Sequence, residues 1–332
     1  MAEYSFIIPY FNGHDTIVRC LNSIYSTAID RDSFEINIID DCSPISAESV
    51  LADYICNHLN IRIVRHPENR CQGGAKNTGI RLSIGKYIIF ADQDDYVISD
   101  NLRIAMREAL KRSPDMLACK YDVVFENGES VEKGLDRHNS FSIDGKTFCE
   151  TCFNPGFSLA PWSYLYRRAF LQQVSHPMAE GVLMEDSDWI AWHLIHADKI
   201  DYLPLPIYCW VMNPTSITHG QSWRHKADWV KFGYRKIRDS KLYSSISTPF
   251  AEIMKADGRY NIEKAFKKLW KTDKYQLFYN HLGNDVLDSI RDMKWSPYIT
   301  FMLNHPKAAV LCLSLLGPCL KGVHRIYSKF KQ

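Results

Sequence analysis

Residues 86–95, KYIIFADQDD, begin as a short apolar run and end in three carboxylates. Such a continuous run is typical of a parallel strand that is covered by helices on both faces. A segment with helical spacing precedes it at Ala75–Ile84, and another follows it at Leu102–Lys111. The stretch therefore predicts one strand and helix repeat of an α/β fold.

The same alternation runs back to the N-terminus. Apolar runs at Tyr4–Pro9, Phe34–Asp40 and Ile61–Arg65 alternate with helical periods at Asp15–Tyr25 and Ala47–Leu59. This order predicts an open, doubly wound, mostly parallel sheet flanked by helices. Ligands of such sheets bind beyond the carboxyl ends of the strands, so the residues after each run are candidates for a site.

The composition is that of an ordinary globular chain. Of 332 residues, 46% are hydrophobic and 23% are charged, which excludes a disordered chain. The ten cysteines are scattered, mostly inside apolar runs, as expected of reduced thiols and unlike a secreted disulfide scaffold. Glu3, Pro9 and Asn12 make the first residues unlike a signal peptide, so we expect a cytoplasmic protein.

The two parts of the chain differ strongly in charge. Residues 1–220 carry 19 basic and 29 acidic side chains, a net −10, whereas residues 221–332 carry 21 and 9, a net +12. We therefore predict an α/β domain over 1–220 and a helical, basic region over 221–332. The broken apolar stretch Ala308–Leu320 is shorter than the about 20 residues that a membrane span needs. It suits attachment to an anionic membrane surface, and packing on the α/β domain is the alternative.

Two acidic motifs follow predicted strands. Asp40 and Asp41 could accept hydrogen bonds from backbone groups of a turn, or one of them could accept the N3–H of a uracil ring. Asp92, Asp94 and Asp95 would repel one another unless a cation or hydrogen-bond donors lay nearby. Carboxylate oxygens suit Mg²⁺ or Mn²⁺, and an acidic loop that caps the next helix is the alternative.

Five motifs, taken in order and spacing, resemble the family-two glycosyltransferases of GT-A fold, over about residues 3–220. They are Ser5–Asn12, Ile39–Ser43, Asn69–Gly79, Phe90–Asp95 and Glu185–Asp186. The resemblance implies a donor-binding set, which consists of Pro9, Tyr10, Asn12, Asp41, Lys76, Asp92 and Gln93.

The resemblance also implies individual roles. Asp41 would contact the uracil and Asp92 the ribose, while Asp94 would bind the Mn²⁺ or Mg²⁺ that bridges the donor diphosphate. His219 occupies the place of a late histidine that contacts the metal or diphosphate, although a surface histidine is the simpler interpretation. The family's general base corresponds to Asp186, and a helix N-cap is the alternative there.

Three further residues fall on the acceptor side of the resemblance: Trp162, Glu185 and Asp188. Asp188 competes with Asp186 for the role of base, and Trp162 either stacks on a sugar or fills the core. The chain departs from the family at residues 70–71, where glycine is usual, and at Lys76, where arginine is usual. Because lysine lacks the planar fork of arginine, the donor contacts could differ.

Several other classes are disfavoured. The chain lacks the Gln-x-x-Arg-Trp signature of processive, membrane-embedded synthases, a GxGxxG after its first strand, and a P-loop. We expect an inverting, non-processive, metal-assisted transfer of a hexosyl or N-acetylhexosaminyl group from a UDP-sugar to a glycan or lipid-linked glycan of the bacterial cell envelope. No nucleic-acid partner is expected. The alternatives are an inactive nucleotide-binding scaffold of the same fold and a sugar nucleotidyltransferase.

Overall fold

The structure is a computed structural model that describes residues 2–135, 137–152, 160–212, 222–269, 274–291 and 293–310. The chain forms two compact units, Met1–Asn213 and Pro214–Gln332. The sequence placed this boundary at residue 220. His219 and most of the apolar stretch 308–320 lie outside the described residues.

The first unit combines one sheet with short helices. Its strands are β1 (Tyr4–Tyr10), β2 (Phe34–Asp40), β3 (Ile61–Arg65), β4 (Tyr87–Phe90), β5 (Tyr96–Val97), β6 (Met116–Val124), β7 (Ser130–Lys133), β8 (Phe141–Ile143), β9 (Tyr164–Arg167) and β10 (Ile200–Val211). Its helices are α1 (Ile17–Tyr25), α2 (Ala47–Val50), α3 (Ala52–Ile55), α4 (Cys71–Leu82), α5 (Ser99–Arg112), α6 (Gly145–Thr151), α7 (Arg168–Val174) and α8 (Asp186–His196).

The strands lie in the order β3-β2-β1-β4-β9-β6-β10-β5, with β7 on β6 and β8 on β10. The first four strands are parallel, and every residue of β1, β2 and β4 is buried, which explains their continuous apolar sequences. Beyond β4 the sheet is mixed, since β9 runs antiparallel to both β4 and β6. The α/β class with helices against a sheet and a helical C-terminal part is confirmed.

Strand β10 differs from what its sequence predicts. Pro204 and Pro206 in the run Ile200–Val211 predict an edge strand or an extended connection, because proline donates no hydrogen bond to a neighbouring strand. Instead β10 lies between β6 and β5. Its register against β6 shifts on both sides of Pro206, and these irregularities accommodate the prolines inside the sheet.

Asp115 joins three strands at the opposite edge of the sheet from the acidic motifs. Its buried carboxylate accepts hydrogen bonds from the backbone N–H groups of Asp198 (2.8 Å) and Lys199 (3.0 Å) and from the Arg167 guanidinium. These groups belong to the start of β6, the end of β9 and the approach to β10. A single carboxylate thus fixes where the three strands begin and end relative to one another.

The second unit is helical among its described residues. Its helices are α9 (Trp223–Tyr243), α10 (Thr248–Lys267), α11 (Tyr275–Leu282), α12 (Asn284–Arg291) and α13 (Pro297–Asn304). Helices α9 and α10 pack against each other, and Gly233 faces Gly258 so closely that a Cβ on either residue would lie 2.4–2.5 Å from the other's carbonyl oxygen. Within the described ranges, no helix is both long enough and apolar enough to cross a membrane.

We predict that Asp115→Ala lowers the free energy of unfolding by about 2–4 kcal/mol, because it leaves two backbone N–H groups and a guanidinium without their acceptor. Thermal unfolding measures the effect. Asp100→Ala is the control, since Asp100 also contacts an arginine but has a side chain that is 79% exposed. Equal losses of stability in the two variants would contradict the role of Asp115.

Candidate active site

Three loops meet beyond the carboxyl ends of β1, β2 and β4. Gln93 clamps the loop after β1, because its Nε2 donates to the Phe11 carbonyl (2.7 Å) and its Oε1 accepts from the Phe11 N–H (2.9 Å). The Asn12 N–H donates to Ser43 Oγ at 2.9 Å, which connects the loops after β1 and β2. The edge that the sequence singled out is therefore one continuous surface.

Asp40 and Asp41 have different surroundings. Asp40 is buried and accepts hydrogen bonds from the N–H groups of Ser43 (2.8 Å) and Ala47 (2.9 Å) and from Arg65 (2.7 Å). These contacts shape the loop after β2 and start the following helix. The turn-forming interpretation of the acidic pair therefore applies to Asp40.

Asp41 anchors the loop between β3 and α4. Its Oδ1 lies 2.8 Å from His66 Nδ1, and the Arg70 N–H donates to both oxygens, at 2.9 and 3.1 Å. A carboxylate has about four lone-pair positions. The Arg70 N–H is the one hydrogen bond to Oδ2 among the described residues, so this oxygen has lone-pair capacity for a further donor such as a uracil N3–H, although Asp41 as a whole is 3% exposed.

The end of β1 exposes one aromatic ring. Pro9 is buried, and Tyr10 is 1% exposed with its hydroxyl donating to the Ile45 carbonyl, so these two residues support the loop from beneath. Asn12 is exposed and has the left-handed backbone conformation, with φ of 55°. Phe11 is 43% exposed and is the residue of this motif that could cover a planar base.

Within the acidic loop, Asp95 is structural. Its buried carboxylate accepts hydrogen bonds from the Tyr208 hydroxyl (2.9 Å) and the Val211 N–H (2.8 Å). Burial, followed by the charges of Asp92 and Asp94, raises the pKa of Asp95 well above its usual range. The Tyr208 hydroxyl also accepts a hydrogen bond from the Asp92 N–H (2.8 Å), so one side chain of β10 sets the course of the loop.

Trp162 lies behind this loop. Its ring stacks on Tyr208 with centroids 4.5 Å apart and packs edge-on against Tyr121 at 4.7 Å. The side chain is 7% exposed, so little of the ring is available to a sugar. Of the two interpretations of Trp162, the structure favours core packing.

Asp92 and Asp94 are the residues here that could hold a cation. Asp92 Oδ1 is buried and has no hydrogen-bond partner among the described residues, and no hydrogen bond to the Asp94 carboxylate is found in the same part of the chain. Burial, then the charges of Asp94 and Glu185, raises the pKa of Asp92 to about 6, against the opposing effect of Lys76.

No group of three or more metal-ligating side chains occurs within the described ranges. Two carboxylates nevertheless fit Mg²⁺ or Mn²⁺, which typically take their remaining ligands from water and substrate phosphates. The donor set at this edge is therefore suited to a divalent cation that arrives with a phosphorylated ligand.

A buried ion pair joins this edge to the start of α8. Lys76 is 1% exposed, and its Nζ donates to Glu185 Oε1 (2.8 Å) and Gln72 Oε1 (3.1 Å). Burial lowers the pKa of Lys76, but the charges of Glu185, Asp92 and Asp186 outweigh that effect and raise it above its usual value. Both Lys76 and Glu185 are thus committed to each other, and neither is a free contact for a ligand.

Close packing brings α4 and the approach to α8 together. A Cβ on Gly73 would lie 2.1 Å from the Ala179 carbonyl oxygen and 3.1 Å from Glu185 Cγ. One turn further along α4, the Asn77 side chain donates to the Met178 carbonyl (2.9 Å) and accepts from its N–H (2.9 Å). These contacts hold the backbone that leads into Asp186.

Asp186 is the first residue of α8 and is partly buried. Burial, then the charge of Glu185, raises its pKa to about 7, while Lys76 lowers it. The competing residue Asp188 is more deeply buried, at 4% exposure. Asp186 therefore combines partial access with a proton affinity suited to a general base at neutral pH.

Three residues of this site were not predicted from the sequence: Phe11, His66 and Tyr208. His66 directly follows β3, so the rule that ligands gather beyond strand ends pointed to it, but a lone histidine carried no chemical signal. Tyr208 lies in the middle of β10 and more than 100 positions after the acids that it contacts, and no local pattern marks such a contact. His219 lies outside the described residues, and its role stays a prediction.

Comparison with known proteins agrees with this architecture. The family model described as glycosyl transferase family 2 matches residues 5–173. EpsJ of Bacillus subtilis, named an uncharacterized glycosyltransferase, is 27% identical over 217 residues, which are 64% of this chain and 62% of EpsJ. The chain thus spans less than two thirds of the length of this relative.

Solved structures share the fold. The crystal structure of Staphylococcus aureus TarS 1–349 in complex with UDP-GlcNAc has a TM-score of 0.59 at 17% identity, covering 96% of this chain and 90% of that one. The mannosyltransferase PcManGT of Pyrobaculum calidifontis, solved with GDP-Man and Mn²⁺, has a TM-score of 0.51 at 14% identity, covering 97% and 87%. The GT-A fold is confirmed, and because the family model covers about half of its residues, this chain belongs to glycosyl transferase family 2.

Proposed function

We propose that this chain transfers one sugar from a UDP-linked donor to a hydroxyl group of a glycan or lipid-linked glycan, with inversion at the anomeric carbon. The observation that carries the proposal is the position of Asp92 and Asp186 near buried Lys76, whose charge acts on both, together with Asp94, whose charge acts on Asp92. Asp92 and Asp94 are suited to bind a cation and the donor, and Asp186 is suited to accept a proton.

The donor half of the proposal rests on Phe11 and Asp41. The exposed ring of Phe11 offers a face for a base, and the remaining lone-pair capacity of Asp41 Oδ2 offers an acceptor for the N3–H of uracil. Adenine does not present that donor arrangement. TarS, with which this chain shares its fold, was solved with UDP-GlcNAc, and this supports a UDP-linked donor.

The catalytic half assigns each side chain a task. Asp94 would hold Mn²⁺ or Mg²⁺, which supplies positive charge to the departing diphosphate when it is bound. Asp186 accepts the proton of the acceptor hydroxyl as its oxygen attacks the anomeric carbon. Attack from the side opposite the diphosphate inverts the configuration, and Lys76 limits the repulsion among the carboxylates.

The proposed acceptor is supported by the name of one relative. TarS is named a poly(ribitol-phosphate) β-N-acetylglucosaminyltransferase and is 27% identical to this chain over 175 residues, 29% of its own length. This name supports a phosphate-containing glycan polymer as acceptor and N-acetylhexosaminyl or hexosyl transfer; we propose in addition that the acceptor belongs to the cell envelope and that transfer is non-processive. We propose a cytoplasmic location, with the basic second unit attached to an anionic membrane surface.

The donor contact predicts a specific loss of discrimination. Wild type should bind N3-methyl-UDP about 10–100-fold more weakly than UDP, because methylation removes one hydrogen bond to a carboxylate. Asp41→Ala should bind the two ligands equally. Titration calorimetry with Mn²⁺ measures all four affinities, which cancels any general effect of the substitution on the loop. Unchanged discrimination in the variant would contradict the role of Asp41.

The metal assignment predicts that Asp94→Asn lowers divalent-dependent release of UDP from a UDP-sugar by about 100-fold or more, because it removes a ligand charge without changing volume. Asp15→Asn, whose side chain is 87% exposed, is the control. Near-normal turnover of the Asp94 variant at saturating Mn²⁺ would refute the assignment. Release of pyrophosphate in place of UDP would favour a nucleotidyltransferase.

The base assignment predicts a pH dependence. Since Asp186 must be ionised to accept a proton and its pKa is about 7, kcat should fall as pH is lowered through that value. Asp186→Asn should lower kcat about 10²–10⁴-fold, abolish this dependence and leave donor affinity intact. Initial rates from pH 5 to 9 test both points. A larger loss of kcat in Asp188→Asn would show that Asp188, and not Asp186, is the base.

A further inference from the structure

His66 is a buried titratable side chain that the proposed reaction does not use. It directly follows β3 and is 6% exposed. Its Nδ1 lies 2.8 Å from Asp41 Oδ1, and its Nε2 lies 2.9 Å from Thr78 Oγ1. Both ring nitrogens are therefore engaged inside the protein, and the ring acts on a ligand only through its neighbours.

The partners of the ring fix the direction of its hydrogen bonds. Arg81 Nη2 donates to Thr78 Oγ1 at 2.8 Å, so the Thr78 hydroxyl keeps its own proton to donate to His66 Nε2. On the other side, the Arg70 N–H donates to both oxygens of Asp41, which therefore act as acceptors. A ring nitrogen that faces such a carboxylate carries a proton, and so His66 Nδ1–H donates to Asp41 Oδ1.

The backbone of Asp41 is held independently of the His66 ring. The Asp41 N–H donates to the Tyr10 carbonyl (2.9 Å), and Asn69 Nδ2 donates to the Asp41 carbonyl (3.0 Å). The carboxyl group can still rotate about its side-chain bonds, so its orientation depends on the groups that contact its oxygens. Among the described residues, these groups are the Arg70 N–H and the His66 ring.

The two oxygens of Asp41 are occupied unequally. Oδ1 accepts from the His66 ring and shares the Arg70 N–H with Oδ2, at 2.9 and 3.1 Å. A carboxylate oxygen has about two lone-pair positions, so Oδ1 is filled while Oδ2 retains capacity for one more donor. The contact with His66 thereby selects the oxygen that is left for a ligand.

We propose that His66 is a positioning residue for recognition of the donor's base. Its Nδ1–H holds the Asp41 carboxylate in the orientation that leaves Oδ2 to accept the N3–H of uracil. This inference rests on the proposed function, which assigns the uracil to Asp41. Thr78 holds the other side of the ring from α4, the helix that also carries Lys76. The donor-side carboxylate is therefore oriented from the same helix that supplies the buried cation.

Two substitutions separate the two hydrogen bonds of the ring. In His66→Asn the amide nitrogen takes the place of Nδ1, because both atoms are bonded to Cγ, and it can donate to Asp41. In His66→Gln the amide nitrogen takes the place of Nε2, so it reaches Thr78 and leaves Asp41 Oδ1 without this donor. Both variants lose the ring, and the difference between them therefore reports the contact with Asp41.

Calorimetric titration of the full chain with UDP and with N3-methyl-UDP, in the presence of Mn²⁺, is the direct test. His66→Gln should bind UDP about 3–10-fold more weakly than wild type and N3-methyl-UDP equally well, because the lost orientation affects the hydrogen bond to N3. His66→Asn should discriminate between the ligands like wild type. His58→Gln is the control, because His58 Nδ1 contacts a backbone carbonyl in α3, and it should also bind both ligands like wild type.

The outcomes distinguish this inference from the proposed function. Wild-type discrimination in His66→Gln would overturn the inference and leave the assignment of uracil to Asp41 intact. Equal loss of discrimination in His66→Asn and His66→Gln would mean that the ring only supports the fold, and would also overturn the inference. Absence of discrimination in wild type would contradict the contact between Asp41 and uracil, and the role of His66 would fall with it.

Nitrogen NMR of the full chain with labelled histidines adds a readout that needs no donor. The His66 signals are identified by their loss in His66→Gln. Nδ1 should carry a proton, and its chemical shift should change in Asp41→Asn, because the acceptor of the hydrogen bond is altered. An Nδ1 without a proton, or a shift that is the same in wild type and Asp41→Asn, would refute the hydrogen bond on which the inference depends.

Discussion

The Lys76–Glu185 ion pair is the contact on which the rest of the site depends. A site that concentrates carboxylates in a partly buried space needs a buried cation, and Lys76 supplies it from within α4. Removing one partner of such a pair would leave an uncompensated charge in the interior. The pair also fixes distance, because Glu185 immediately precedes Asp186 and so ties the start of α8 to the helix that packs on β1 and β2.

The acidic residues divide into those that shape the loops and those to which the proposed function assigns a ligand. The carboxylates of Asp40 and Asp95 accept hydrogen bonds from backbone N–H groups, from Arg65 and from Tyr208. These bonds shape the loops after β2 and β4. The same bonds fix the backbone positions of the neighbouring residues Asp41 and Asp94. In each pair of adjacent acids one carboxylate therefore shapes the loop, and the proposed function assigns the other to the donor or to the metal.

The parallel half of the sheet was predictable, because β1, β2 and β4 are buried on both faces and their sequences are continuous apolar runs. The mixed half of the sheet could not be predicted from the sequence. The antiparallel insertion of β9 between β4 and β6 joins segments far apart in the chain, and the prolines of β10 pointed to an edge. Loop acids were identified by their position after strands, whereas the pairing of Lys76 with Glu185 spans 109 positions and has no local signature.

The close grouping of carboxylates has an electrostatic cost. Asp92 and Asp186 have pKa values near 6 and 7 in the folded chain, above their ordinary value of 3.8. The folded state therefore binds more protons than the unfolded state between about pH 4 and pH 7, and this contribution to stability is lost as pH rises through that window. A divalent cation would restore at neutral pH what protons supply at low pH. This cost falls on Asp92 and Asp186, to which the proposed function assigns the donor and the proton. The arrangement therefore opposes folding at neutral pH in favour of binding, which is a common trade-off between stability and function.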